Sequence, residues 1–380
     1  MKFTVFSGKL LKELSKINSI IPSNPIVPIL NNVLLEITDN QLRITGSDQH
    51  TFITTTLDIN GSGQGSIAVS ARILTQTMKQ LAEQPLDFLI DTNNSYSVEI
   101  ISSNGRYKLA GENAVDFPKP KPTQNSNWIT VKNQILKQAL QQTIFAASKD
   151  ELRPILRSIH IAIDKKGATF VATDGRRLAK YTSNQITTED NQALTIPTKP
   201  LQTLVQLLQP TDENLQIRIT EDNAQFLLDN ILLITRLINL EYPNYKNVIP
   251  SQQQPYKLTI NTIEYLKALK TVDIYSNRTT HQLKVTANNN ILEISTEDLD
   301  FYNEAKETIP CHYSGKEVQI GFNGKLLIEM ISTVDSEEIE MHFDILPNKA
   351  VLFFPQNSTK TEELLLLIMP VLLNKHPQEL

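Results

Sequence analysis

Three stretches of the chain open with a short apolar–polar alternation and pass at once into a helical period. Lys2-Phe3-Thr4-Val5 leads to Leu10, Leu11 and Leu14. Trp128-Ile129-Thr130-Val131 leads to Ile135, Leu136 and Leu140, and Lys257-Leu258-Thr259-Ile260 leads to Ile263, Leu266 and Leu269. Alternation marks a half-buried strand, and a spacing of three and four marks an amphipathic helix. Phe3 and Ile129 are 126 positions apart, Ile129 and Leu258 129. Three further landmarks keep the period. A strand ends in an acid at Gly46-Ser47-Asp48, Ala172-Thr173-Asp174 and Ser295-Thr296-Glu297. A second helix follows a strand and a cap at Val69-Ser70, Pro197-Thr198 and Phe322-Asn323. Ser, Thr and Asn accept hydrogen bonds from the free N–H groups of a helix start. Each unit closes at Asp116-Phe117-Pro118, Glu241-Tyr242-Pro243 or Ile368-Met369-Pro370. Four landmarks in one order, three times, make an internal repeat.

Proline-punctuated joints, Lys119-Pro120-Lys121-Pro122 and Pro250 to Pro255, divide the repeats into domains 1–122, 127–250 and 256–380. The predicted helices occupy windows 8–18, 71–82, 132–142, 199–208, 262–270 and 324–331. Between them run β-rich segments such as Asn32–Thr45, Ser95–Leu109, Ser158–Thr173, Leu215–Ile234 and Leu283–Ser295. The fold class is therefore α+β: three tandem domains, each with two helices on one side of antiparallel strands.

Charge sharpens this picture. The 380 residues carry 36 basic and 41 acidic side chains, net −5, which argues against tight wrapping of DNA by a globally basic surface. The helix windows are the opposite. They hold Lys9, Lys12, Lys16, Arg72, Lys79, Lys132, Lys137, Lys199, Lys267, Lys270 and Lys325 against Glu13, Glu264 and Glu329, so +8 there and −13 elsewhere. Lysine forms helices well, but glutamate does nearly as well and is depleted here. The distribution points to six helices facing one polyanion, contacted through phosphates without sequence reading.

Signals for chemistry are weak. The single cysteine, Cys311, excludes an intrachain disulfide and a multi-cysteine zinc site, and the six histidines form no i,i+4 pair, so no metal site is expected. Asp48, Asp174 and Glu297 read as a shared turn device rather than paired catalytic carboxylates. Gly61-Ser62-Gly63-Gln64-Gly65-Ser66 lacks the Gly-Lys-Ser/Thr ending of a phosphate loop and reads as a hairpin connection. No catalytic constellation and no cofactor are expected. Met1–Leu14 lacks a signal-peptide apolar block, and the longest apolar run, Leu364–Leu373, is ten residues and contains Pro370. The expectation is a soluble, cytoplasmic, non-enzymatic protein.

Val171-Ala172-Thr173-Asp174-Gly175-Arg176-Arg177-Leu178-Ala179 is distinctive. So are Phe3-Thr4-Val5, Pro28-Ile29-Leu30-Asn31-Asn32, Tyr242-Pro243-Asn244-Tyr245, Ile320-Gly321-Phe322-Asn323 and Met369-Pro370. Together, and in register from residue 1 to Leu373, they resemble the beta subunits of bacterial DNA polymerase III, the sliding clamps. The resemblance implies a DNA-clamp fold and a head-to-tail homodimeric ring that encircles duplex DNA, loaded by a clamp loader and tethering the replicative polymerase. It implies a pocket for short peptides carrying Gln and hydrophobic residues. By position that pocket uses Leu156, Thr173, Gly175, Arg176, Arg177, Leu178, Pro243, Asn247, Val248, Leu367, Met369, Pro370, Val371 and Leu372. The chain departs from the familiar pattern at Arg176 for His, Asn247 for Arg, Leu372 for Arg, Asn24 for a DNA-touching Arg, and in the extension Asn374–Leu380.

The subunit contact expected on this basis sets Arg106, Tyr107, Lys108 and Leu109 against Ile274, Tyr275, Glu297, Asp298, Asp300, Glu304 and Glu307. Unlike ends paired head to tail close into a ring. Two other classes compete: a monomeric peptide-binding scaffold, which gives the helix lysines no role, and a multidomain hydrolase, which needs a convergent His or carboxylate cluster.

Overall fold

The computed structural model describes residues 1–38, 40–92, 95–120, 127–211, 213–250, 254–344, 349–356 and 361–373. The expectations placed on Lys121-Pro122, on 251–253 and on Asn374–Leu380 lie outside these residues. Six helices appear close to the predicted windows: α1 Ser7–Asn18, α2 Ala71–Gln80, α3 Asn133–Ile144, α4 Thr198–Leu207, α5 Thr262–Asp273 and α6 Gly324–Ile331. The caps have the expected chemistry. Ser70 accepts from Ile73 N–H at 3.4 Å, and Asn323 from Leu326 N–H at 3.0 Å. Asn261 serves Ile263 and Glu264 at 3.1 and 3.0 Å. Thr198, expected as a cap, is the first residue of α4 itself. Helix α1 turns Leu10, Leu14 and Ile17 into the core and leaves Lys9 and Lys12 exposed.

The chain resolves into two compact units, Met1–Leu136 with Lys199–Leu237, and Lys137–Thr198 with Ile238 onward. In the first, thirteen strands form one continuous sheet. Its joint is the antiparallel pairing of Ile231–Arg236 with Thr51–Asp58, which brings a strand of the central repeat against a strand of the first. Glu13 of α1 pegs this joint from below. Its buried carboxylate accepts from Thr55, from Lys16 at 2.8 Å and from Asn230 at 3.1 Å. A buried carboxylate with three donors is satisfied rather than stranded.

In the second unit a nine-stranded and a four-stranded sheet lie together. Here Arg177–Ser183 of the central repeat pairs through seven register positions with Glu362–Ile368 of the third. Each internal joint therefore joins the strand that follows the acidic turn of one repeat to the closing strand of the next. The two halves of the central repeat are built into different sheets.

Three local expectations change. Lys132 ends the strand Trp128–Lys132, and Asp273 falls inside α5, so the observed helices carry ten basic and four acidic residues, +6 rather than +8. The Gly61–Ser66 stretch is not a hairpin. Asn60–Ser62 pairs with Lys2–Phe6, while Gly65–Ser70 pairs with Asn32–Thr38, so the loop passes between different neighbours. The acidic turn holds at Asp48, whose Oδ1 accepts from Thr51 N–H at 2.8 Å, and at Asp174. In the third repeat Glu297 stays in its strand and Asp298 takes the role, accepting from Asp300 N–H at 3.1 Å.

Candidate peptide socket and nucleic-acid face

Cross-strand partners share a face of a sheet, so the register of the nine-stranded sheet groups its side chains. One row runs Thr173, Leu178, Leu367, Leu352, His342. The next runs His160, Val171, Lys180, Leu365. Buried Val171, Leu178, Ala350, Leu352, Leu365 and Leu367 form one apolar cluster, with Tyr242, Tyr245, Ile249, Phe354 and Met369 packed against it half-buried. Leu, Met and aromatic groups offer an adaptable apolar floor to an apolar anchor.

Two turns frame this floor. In the first, Asp174 Oδ1 accepts from the N–H groups of Arg176 and Arg177 at 2.8 and 2.9 Å. Thr173 Oγ1 donates to the Arg177 carbonyl at 2.7 Å and accepts from Gly175 N–H at 3.1 Å. Gly175 sits at φ +87°, with open space where a Cβ would stand, so conformation rather than room demands glycine. The C-terminal segment is then tied on at both ends. Met369 N–H donates to the Arg176 carbonyl at 2.7 Å, and Val371 N–H to the Gly321 carbonyl at 2.8 Å. A Cβ on Gly321 would fall 2.5 Å from the Val371 carbonyl oxygen, so this close approach needs glycine.

The other wall is the segment after Leu237. Ile238 N–H donates to the Thr195 carbonyl at 2.9 Å. The Tyr242 hydroxyl lies 3.5 Å from the Val171 carbonyl, and burial pushes its phenol well above the ordinary value. Pro243, Asn247 and Val248 ride exposed on this segment, Val248 at 54%. Beyond Tyr245 and Ile249 a cavity of about 740 Å³ opens over the same sheet face, with Lys166, Lys180 and Glu362 in its wall.

Of the fourteen sequence-assigned residues, Leu178, Leu367 and Met369 belong to the cluster. Gly175, Arg176, Pro243, Asn247, Val248, Val371 and Leu372 are exposed, and Leu156, Thr173 and Pro370 half-buried. Arg177 differs from expectation. It is 3% exposed, and its guanidinium is fully engaged beneath the turn. It donates to Asp174 Oδ2 at 3.1 Å, Glu329 Oε2 at 2.7 Å, Leu326 O at 3.2 Å and Phe145 O at 2.8 Å, and lies over the Phe145 ring. It is a scaffold of the turn rather than a lining group. Sequence reasoning missed Val171, Leu352, Leu365 and Phe354, although the alternation Val351-Leu352-Phe353-Phe354 marks a two-sided strand. It also quoted Tyr242 and Tyr245 only as landmarks.

On the helices, Lys9, Lys12, Arg72, Lys79, Lys199, Lys267, Lys270 and Lys325 are exposed, as is Lys132 on its strand, while Lys16 and Lys137 are half-buried. Some of these charges are answered within the chain. Lys16 pairs with Glu13 at 2.8 Å, and Lys199 with Asp48 at 3.0 Å.

Among the strand edges that lack a ladder partner in the described residues, two belong to strands that repeat the pattern of the internal joints. Asn303–Pro310 ends the four-stranded sheet and pairs only with Ile291–Asp298. Arg106–Ala110 pairs only with Ser97–Ile101, while Gly111–Asn113 continues onto Ile67–Val69. Near the first edge lie exposed Ile274, Tyr275, Glu297, Asp300 and Glu304 and half-buried Glu307. Tyr107 and Lys108 are exposed on the second, and Arg106 already donates to Glu99 at 2.7 Å. Two assigned contact residues face inward instead. Leu109, 8% exposed, belongs to its own core, and Asp298, 3% exposed, accepts from Asn277 at 3.2 Å.

Among the described residues no group of three or more His, Cys, Asp or Glu side chains could hold a metal ion, and no helix is long and apolar enough to cross a membrane. Cys311 is buried, which pushes its thiol up to about 11.

Three family models match the chain in succession. They describe the N-terminal domain of the DNA polymerase III beta subunit over residues 1–121, the central domain over 130–244 and the C-terminal domain over 246–371. The beta sliding clamp of Chlamydia pneumoniae is 27% identical over 376 residues, covering 98% of this chain and 100% of that one. The DNA polymerase sliding clamp structure from Bacillus subtilis is similar with a TM-score of 0.92 at 25% identity, covering 98% of this chain and 100% of that one. The DNA polymerase III subunit beta from Bartonella birtlesii, bound to griselimycin, has a TM-score of 0.90 at 25% identity, with the same coverage. A threefold repeat, two sheet joints of one design and three consecutive domain matches agree: the chain belongs to the DNA polymerase III beta subunit family, the bacterial beta sliding clamps.

Proposed function

We propose that this chain acts as a DNA sliding clamp, a processivity factor that catalyses no reaction, built of clamp domains 1–122, 127–250 and 256–380. The observation that carries the reading is the pattern of joints. The strand after the acidic turn pairs with the next repeat's closing strand twice within the chain. The third such strand, Asn303–Pro310, and the first closing strand along Arg106–Ala110 have open edges. A second copy completes both joints at once, head to tail, and the array closes after two chains.

The basic helix faces then address duplex DNA without sequence preference, while the acidic remainder of the chain disfavours other approaches. A topological link needs little affinity, and a modest positive lining lets the ring slide. The apolar socket between the Asp174 turn and the Tyr242–Ile249 segment takes a short linear peptide from the replicative polymerase, from a clamp loader or from other partners. It also serves as the binding site for griselimycin. Such work belongs in the cytoplasm.

Negative-stain electron microscopy of the purified protein tests the architecture. The expected particle is a closed six-lobed ring with an open centre. Compact particles without a hole, at micromolar concentration, would favour the monomeric scaffold instead.

A further inference from the structure

The wall of the socket that bears Pro243, Asn247 and Val248 has no regular pairing to either neighbouring strand. The segment holds a single 3-10 turn, Tyr245–Val248, and none of those four residues is buried. Something beneath it must fix its height. The side chain in that place is His160. Its ring stacks on Tyr242 at 5.0 Å and 20°, and tilts against Tyr245 at 6.4 Å. Its Nδ1 is 3.1 Å from Thr195 Oγ1, and Thr195 is its cross-strand partner. The backbone carbonyl of the same Thr195 receives Ile238 N–H, where the segment begins. One threonine thus holds both the segment's entry and the ring under its middle.

We propose that His160 is a positioning residue for the peptide socket, the platform on which the Tyr242–Ile249 segment and its rim residues are seated. This rests on the socket reading above and adds to it a sensitivity to acid. The strands flanking His160, Gly167–Thr173 and Gln192–Pro197, carry no ionisable side chain. Its own strand carries only Asp164, at the far end. The packed segment supplies Glu241, Tyr242, Tyr245 and Lys246, and burial raises both phenols so that they stay neutral. Lys180 lies in the same cross-strand row beyond Val171. Burial holds the His160 imidazole below its ordinary 6.5. The seated state therefore prefers the neutral ring and the unseated state takes the proton first. The neutral ring's contribution to seating is present above pH 6.5 and declines as the pH falls below it.

The test uses griselimycin as probe, titrated calorimetrically into the full chain and into His160→Ala and His160→Phe. It is paired with the rate of tryptic cleavage after Lys246, which is exposed on the segment. At pH 7.5, His160→Ala should bind about tenfold more weakly, the size of one lost aromatic contact, and be cut faster after Lys246. His160→Phe keeps a ring without a titrating nitrogen and should retain affinity. Between pH 7.5 and pH 5.5 the parent protein should lose affinity and His160→Phe should not. Equal affinity and equal cleavage for parent and His160→Ala would overturn the proposal, as would identical pH profiles for parent and His160→Phe. Failure of the parent to bind griselimycin would count against the socket itself, and the cleavage rates would then decide the seating role alone.

Discussion

Arg177 Nη2 donates to Glu329 Oε2 at 2.7 Å, tying the turn that frames the socket to helix α6. The same guanidinium reaches the carbonyls of Leu326 and Phe145 and the carboxylate of Asp174. A residue with two per cent of its side chain exposed therefore holds a strand end, a helix and the end of another helix in one arrangement. Removing the buried guanidinium leaves Asp174, the half-buried Glu329 and the Leu326 and Phe145 carbonyls without its hydrogen bonds, which is destabilising.

Arg177→Ala should lower unfolding stability by about 3 kcal/mol, whereas Arg177→Lys, which keeps charge but loses the fork, should cost less. Burial alone would push the Glu329 carboxyl up, but hydrogen bonding and charge from Arg177, aided by Lys149, hold it below its ordinary 4.5. The unfolded chain therefore takes up that proton first. The stabilisation is complete above pH 4.5 and is lost as the pH falls through the lower folded value. Denaturant melts at pH 7 and pH 3.5 check this. The gap between parent and Arg177→Ala should narrow in acid.

Lys12, Lys79 and Lys267 are exposed on three different helices. Reversing all three to Glu should shorten retention on circular duplex DNA by about tenfold or more at 0.15 M salt, since each charge that leaves a phosphate weakens the counterion-release term. Griselimycin binding should be unchanged. Retention equal to the parent's would remove these helices from the DNA face.

Ile274 and Tyr275, 78% and 44% exposed, stand near the open third-repeat edge. Changing both to Ala should shift the mass measured by sedimentation from two chains toward one. An unchanged mass would place the subunit contact elsewhere. Leu109→Ala should instead act on monomer stability, because that side chain is already buried in its own core.

Much of this was legible in the chain. Helix periods and caps are local signals, so all six helices fall within a few residues of their windows. The Asp174 turn was also legible, because an Asp that bonds the N–H groups two and three residues on needs only its own neighbours. Long-range pairing left no such trace. Nothing near Thr51–Asp58 announces Ile231–Arg236 as its partner, and nothing near Arg177 announces Glu329, 152 positions away. The position of Arg177 in a distinctive motif suggested a ligand contact, while its long side chain turns back under the turn. His160 gave no signal at all, since a lone histidine in an alternating strand acquires meaning only when two tyrosines from far along the chain settle on it.

The two sheet joints make the repeat seen in the sequence a poor unit of folding. Residues 127–250 cut out alone would carry the strands Arg177–Ser183 and Ile231–Arg236 with neither of their outer partners. Such a fragment presents two raw edges of unpaired backbone, each already shaped to accept a strand, and it would recruit whatever chain it met, its own copies first. In the intact protein the same edges are quenched as the neighbouring repeats emerge and fold. The central domain's two edges are thus covered by the domains on either side.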